Sequence, residues 1–116
     1  TNRFFIFAGG LMGAAGVALS ALAAHRGGHD SGIAASFLTM HAPVLLAIGF
    51  FGRGRVLVAG GSILLAGLVI FCADLFMRDL AGARLFPMAA PLGGTAMILG
   101  WLVVAASAFA TDSREA

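Results

Sequence analysis

The sequence predicts an all-α integral membrane protein, a four-helix bundle of up-down-up-down topology, and three observations carry that expectation. The 116-residue chain is 60% hydrophobic and 10% charged, against about 25% charged residues in an ordinary soluble domain. Its mean hydropathy is +1.02. Its apolar residues gather into four runs, at 4–24, 33–51, 56–77 and 88–109, each close to the roughly 20 residues a helix needs to cross a hydrocarbon core of about 30 Å. Together these runs make residues 1–116 a single transmembrane domain that ends in a short polar tail, "TDSREA" at 111–116.

The first run follows Arg3 and closes on small residues, as a signal peptide would. It is longer than the apolar core of about 7–15 residues that such peptides carry, so a retained span is expected. Gly9 and Gly13 form a GxxxG pair, and Gly16, Ser20 and Ala24 continue the small residues at four-residue spacing. Small residues matter here because lipid tails are as apolar as leucine. Helices in a bilayer are held by close packing instead of by exclusion of water.

The second run is preceded by "HRGGHDSG", where Asp30 or Ser31 can cap a helix start. Within it, "FLTMHAPVLL" sets His41 eight residues past Ile33, a depth of about 12 Å at 1.5 Å per residue. Pro43 removes the N–H that would bond the carbonyl of Thr39, which predicts a kink beside the imidazole. The third run follows the very short "GRGR", so helices two and three are antiparallel neighbours. It carries Cys72, expected as a small packing residue, and Asp74, which has Arg78 one turn further on in the favourable acid-then-base order. Gly82 can close an extension of this helix. Pro87 suits the first turn of helix four, while Pro91, Gly93 and Gly94 in "APLGG" are expected to break its regularity. Gly60, Gly67 and Gly100 offer further close-contact points between helices three and four.

Every span thus contributes something irregular or ionisable to one half of the bundle: His25, His41, Asp74, and the Pro91, Gly93, Gly94 break. Ionisable residues at such depth face the bundle interior and find partners. A neutral His41 that ties two helices and an Asp74–Arg78 pair are the packing interpretations; a shared polar site is the functional one. A metal site drawing on His25, His29, His41, Asp30 and Asp74 has no dedicated ligand spacing behind it, and His25 lies too far from His41 in depth to share a haem. No cofactor is expected. There is no nucleophile constellation, phosphate-binding loop or paired-carboxylate arrangement, so an enzyme is not expected either. All seven basic residues are arginines, the net charge is +2, and no basic face suits nucleic acid.

Arg3, Arg53, Arg55 and Arg114 fall on one side of the membrane and Arg26, Arg78 and Arg84 on the other. By the positive-inside rule both termini are cytoplasmic.

Four stretches, "ALAAH" at 21–25, "SFLTMHA" at 36–42, "FCADLF" at 71–76 and "APLGGTAMILGW" at 90–101, resemble in order and spacing the small YgdD and YwdK proteins of bacterial inner membranes, a family of unknown function. The resemblance covers nearly the whole chain. It places His25, His41, Pro91, Gly93, Gly94, Gly100 and Trp101 on matching positions, and it implies four helices in an inner membrane without supplying a reaction. Met40, Asp74, Phe76 and Ala90 depart from it where the family tends to have tyrosine, serine, tyrosine and threonine. Several hydroxyls are therefore absent and one carboxylate is new.

The expectation for function is a structural or accessory protein that contacts membrane lipids and joins a homo-oligomer or a larger membrane complex. Transport of protons or a small solute past His41 and Asp74 is the alternative, and a lipid or hydrophobic-ligand site at the glycine-rich break is a third.

Overall fold

A computed structural model describes residues 1–110, and the polar tail at 111–116, with Arg114, lies outside the described residues. Four helices follow one another: α1 at Arg3–Arg26, α2 at His29–Phe51, α3 at Arg55–Ala81 and α4 at Ala89–Ala106, the last closed by a 3-10 turn at Ser107–Phe109. All four spans, with that turn completing the last, are long and apolar enough to cross a membrane. The expected architecture is therefore present. The bundle is flattened, with extents of 48 × 26 × 17 Å: α1 packs chiefly on α2, α4 chiefly on α3, and the α2–α3 contact joins the two hairpins.

Local chemistry sets the helix ends. The Asn2 side chain accepts the N–H groups of Phe4 and Phe5 at 3.1 and 3.3 Å, which caps α1. Gly27 ends α1 and Gly82 ends α3, both in the left-handed conformation that glycine adopts without penalty. The loop between the first two spans shrinks to Gly27 and Gly28, because α2 starts at His29, four residues before its apolar run. Neither Asp30 nor Ser31 caps that start. The N-cap is Gly28, and the cap oxygen comes from α3: Asp79 Oδ2 accepts the Ser31 N–H at 2.5 Å.

The last helix also begins differently from expectation. Pro87 lies before it, in the turn closed by the Ala89 N–H on the Phe86 carbonyl, and Met88 at φ 69° is the N-cap. Pro91 occupies the first turn, where a missing N–H has no helical partner to lose. It leaves α4 unbroken from Ala89 to Ala106. Likewise α2 continues through Pro43 as one helix.

Glycine spacing decides how closely the hairpins pack. On α3 and α4 the tight positions recur every seven residues: a Cβ at Gly67 would lie 2.7 Å from the Gly93 carbonyl oxygen and 2.8 Å from the Met97 nitrogen, and one at Gly100 would lie 2.7 Å from the Leu64 nitrogen. On α1 the tight positions are Gly9 and Gly16, against Leu46 and Thr39. Gly13 leaves ordinary van der Waals space, 3.5 Å from the Ala42 methyl, and Ser20 is exposed. A seven-residue period keeps one face of each helix on its partner over several turns, as in coiled coils. The apolar core of Phe5, Leu38, Leu45, Leu64, Leu68 and Met97 fills the space between these seams, while Phe7, Phe51, Ile98 and Leu102 face outward.

Candidate functional site

The α2 backbone places His41 one turn after Phe37, with 3% of its surface exposed. Nδ1 lies 2.9 Å from the Phe37 carbonyl oxygen and Nε2 lies 3.1 Å from Nε1 of Trp101 on α4. An indole N–H can only donate, so Nε2 must accept, and the ring hydrogen sits on Nδ1, where it donates to the carbonyl. Both ring nitrogens are consumed. The aromatic rings of Phe71, Phe37, His41 and Trp101 form a chain, with successive centroids 4.8, 6.0 and 5.6 Å apart, that crosses from α3 through α2 to α4.

Asp74 follows Gly60 and Gly67 at the same seven-residue interval, so it continues the face that α3 presents to α4. There α4 has not yet begun, and the carboxylate meets the connecting segment instead. Oδ1 accepts the Leu85 N–H at 2.7 Å, and Oδ2 lies 2.9 Å from the Arg78 guanidinium. The Arg78 contact is a charge pair without the alignment of a hydrogen bond, which leaves Oδ2 and Arg78 Nε without a hydrogen-bond partner among the described residues. Asp74 is fully buried while the Arg78 side chain is 31% exposed. The arginine therefore reaches outward from a fixed, interior acceptor.

Among the described residues no hydrogen bond or ion pair joins the remaining candidates to these two. His25 is exposed in the last turn of α1. Pro91 is exposed in the first turn of α4, Gly93 packs against the α3 backbone with its would-be Cβ 2.7 Å from the Phe71 nitrogen, and Gly94 has nothing before it within 4 Å. Cys72 is buried, its thiol 3.5 Å from the Ala34 carbonyl oxygen. With both of its ring nitrogens already engaged by Phe37 and Trp101, His41 has no atom left to bond Asp74. Among the described residues no three His, Cys, Asp or Glu side chains gather to hold a metal ion.

Two residues that matter here escape a reading by composition. Trp101, 60 positions from its partner, gives His41 its tautomer; Asp79, 48 positions from Ser31, caps α2. A donor-only indole on a glycine-rich helix was the available signal for the first. For the second there was none, since Asp79 in sequence belongs to a loop.

No solved structure matches the chain. The sequence model of a family described as a protein of unknown function, DUF423, matches residues 12–94, a stretch that contains His25, His41, Asp74, Pro91, Gly93 and Gly94. Since that match covers well over half of its length, the chain belongs to the DUF423 family of proteins of unknown function.

Proposed function

We propose that this protein is a multi-pass component of a bacterial inner membrane that supports a larger membrane assembly, or the bilayer itself, without catalysing a reaction. The observation that carries this reading is the bonding at His41 and Asp74: His41 has both ring nitrogens bonded within the fold, Asp74 holds the Leu85 N–H and pairs with Arg78, and each residue ties two segments together. A proton or solute route needs polar atoms that can exchange partners along a continuous path. Here both nitrogens of His41 and Oδ1 of Asp74 are spent on holding segments together. The likeness to the YgdD and YwdK proteins supports the inner membrane, and the distribution of arginine supports cytoplasmic termini.

Purified protein reconstituted in liposomes with an internal pH dye tests the reading. Proton flux equal to that of protein-free vesicles, for the natural chain and for His41→Ala alike, is the expected result. Flux that the natural chain supports and His41→Ala abolishes would replace this reading with transport. Photocrosslinking from Phe7 and Leu102, both on the outward surface, then separates the two supporting roles. A discrete protein adduct marks a larger assembly, a second copy marks a homo-oligomer, and lipid adducts alone mark action on the bilayer.

A further inference from the structure

With α1 packed chiefly on α2 and α3 chiefly on α4, α1 and α3 touch each other only sparingly. They approach at Phe5, whose ring lies 3.0 Å from where Gly61 would carry a Cβ. Further along the pair a cleft of about 380 Å³ opens between them, walled by Ala15, Ala18 and Leu22 of α1 and by Ala73 and Phe76 of α3, with Leu38 of α2 between. Its lining is almost wholly apolar. Leu22 and Phe76 also line a second, smaller cavity of about 120 Å³, so the two spaces adjoin at these side chains. This second cavity is mixed: Arg26, Ser31 and Asp79 line it beside Leu22, Phe76 and Leu80.

The dimensions match one leaflet. From Ala15 to Arg26 the helix rises about 16 Å at 1.5 Å per residue, close to half of a hydrocarbon core of about 30 Å. The apolar part therefore runs from near mid-membrane to the interface, and the polar part lies where headgroups lie. Both charges at that end are available. Among the described residues Arg26 has no carboxylate within ion-pair distance, and Asp79, which takes the Ser31 N–H at Oδ2 and is engaged by the Ser31 side chain as well, is exposed to a further donor. A cation and a carboxylate that share a cavity without pairing suit a ligand that carries both charges.

We propose that this cleft binds a single phospholipid with a primary-amine headgroup, a phosphatidylethanolamine. One acyl chain lies between α1 and α3, the phosphate meets Arg26, and the ammonium meets the Asp79 carboxylate. A guanidinium and a carboxylate are each matched to these partners by charge-assisted hydrogen bonds. The choice of headgroup follows from the carboxylate. A trimethylated amine has no N–H to give Asp79, and an anionic headgroup without an amine is repelled by it. The proposal rests on the chain being embedded in a bilayer, which flotation with vesicles checks beforehand.

The test is native mass spectrometry of the full chain released from micelles, titrated with phosphatidylethanolamine, phosphatidylcholine or phosphatidylglycerol of identical acyl chains. One phosphatidylethanolamine should be retained in preference to the others, by about tenfold, the worth of one charge-assisted bond. Asp79→Asn keeps an oxygen for the Ser31 N–H and should erase that preference. Arg26→Gln should weaken retention of all three lipids, since each carries the phosphate. Ala18→Phe fills the apolar wall and should reduce retention of every lipid, which keeps the proposal testable should Asp79→Asn fail to fold. Equal retention of the three lipids, a preference for phosphatidylglycerol, or retention unchanged by Ala18→Phe would each overturn the proposal.

Discussion

His41 and Asp74 are both buried polar residues within spans, and the bundle handles them in opposite ways. His41 sits among aromatic rings and closes both its bonds with neutral partners, one on its own helix and one on α4. Asp74 sits where α4 has not begun, joins a charged arginine that reaches toward the outside, and keeps one oxygen without an aligned hydrogen bond. A neutral ring can be sealed at depth because each of its two nitrogens finds one partner. A carboxylate needs a counter-charge as well, and that requires an outlet to the interface. Depth therefore selects the type of tie: uncharged between helices in the interior, charged between helix and loop near the end.

The largest expected effect breaks the charged half of this comparison. Arg78→Ala leaves a fully buried carboxylate without its counter-charge and should lower unfolding free energy by about 3–5 kcal/mol, read by denaturant titration in micelles. Asp74→Asn, which keeps an acceptor for the Leu85 N–H, should cost less than Arg78→Ala. The reverse order would show that the Leu85 tie, not the charge pair, dominates at this end.

A second test strikes the seam that both residues depend on. Gly67→Ala drives a methyl to 2.7 Å from the Gly93 carbonyl oxygen, and neighbouring backbone cannot step aside as a side chain can. A loss of about 1–3 kcal/mol follows from such overpacking.

The neutral tie is worth less. His41→Leu should cost about 0.6 kcal/mol and at most about 1.7, the range for hydrogen bonds between helices in bilayers. Trp101→Phe should cost a similar amount, and the double variant less than their sum, since each single change already breaks the shared bond. The smallest effect has the opposite sign. Gly94 has open space before it, so Gly94→Ala should stabilise α4 by about 0.5–1 kcal/mol through the lost flexibility of glycine alone.

Much of the fold was legible because lipid imposes strong rules. Each span had to be apolar, and arginine with glycine marked its ends: "GRGR" lies between α2 and α3, and Gly82 ends α3 as expected. The Asp74–Arg78 pair was legible as well, because four residues on a helix fix proximity without knowledge of the rest. Less accessible was anything that joined separate helices. The first-turn proline of the fourth helix is Pro91 and not Pro87, because two prolines competed for one role and the helix starts between them, at Ala89. The GxxxG pair drew attention to Gly9 and Gly13, while seven-residue spacing, visible in Gly60, Gly67, Gly93 and Gly100, marks the seams. The start of α2 was missed for a plain reason: its cap is donated by Asp79, and nothing local to residues 29–33 encodes it. The grouping of His25, His41, Asp74 and the Pro91–Gly94 stretch rested on shared depth. Depth places residues in one layer of the membrane but leaves their rotation about each helix undetermined, and in the structure His41 bonds Phe37 and Trp101 while Asp74 bonds Leu85 and pairs with Arg78.

The most direct measurement is the nitrogen NMR spectrum of ring-labelled His41 in nanodiscs near neutral pH, taken for the natural chain, Trp101→Phe and Asp74→Asn. A neutral ring with hydrogen on Nδ1 and an accepting Nε2, perturbed by Trp101→Phe and untouched by Asp74→Asn, is the expected result. Hydrogen on Nε2, a doubly protonated ring, or a response to Asp74→Asn would contradict the separation of the two ties and make His41 and Asp74 parts of one site.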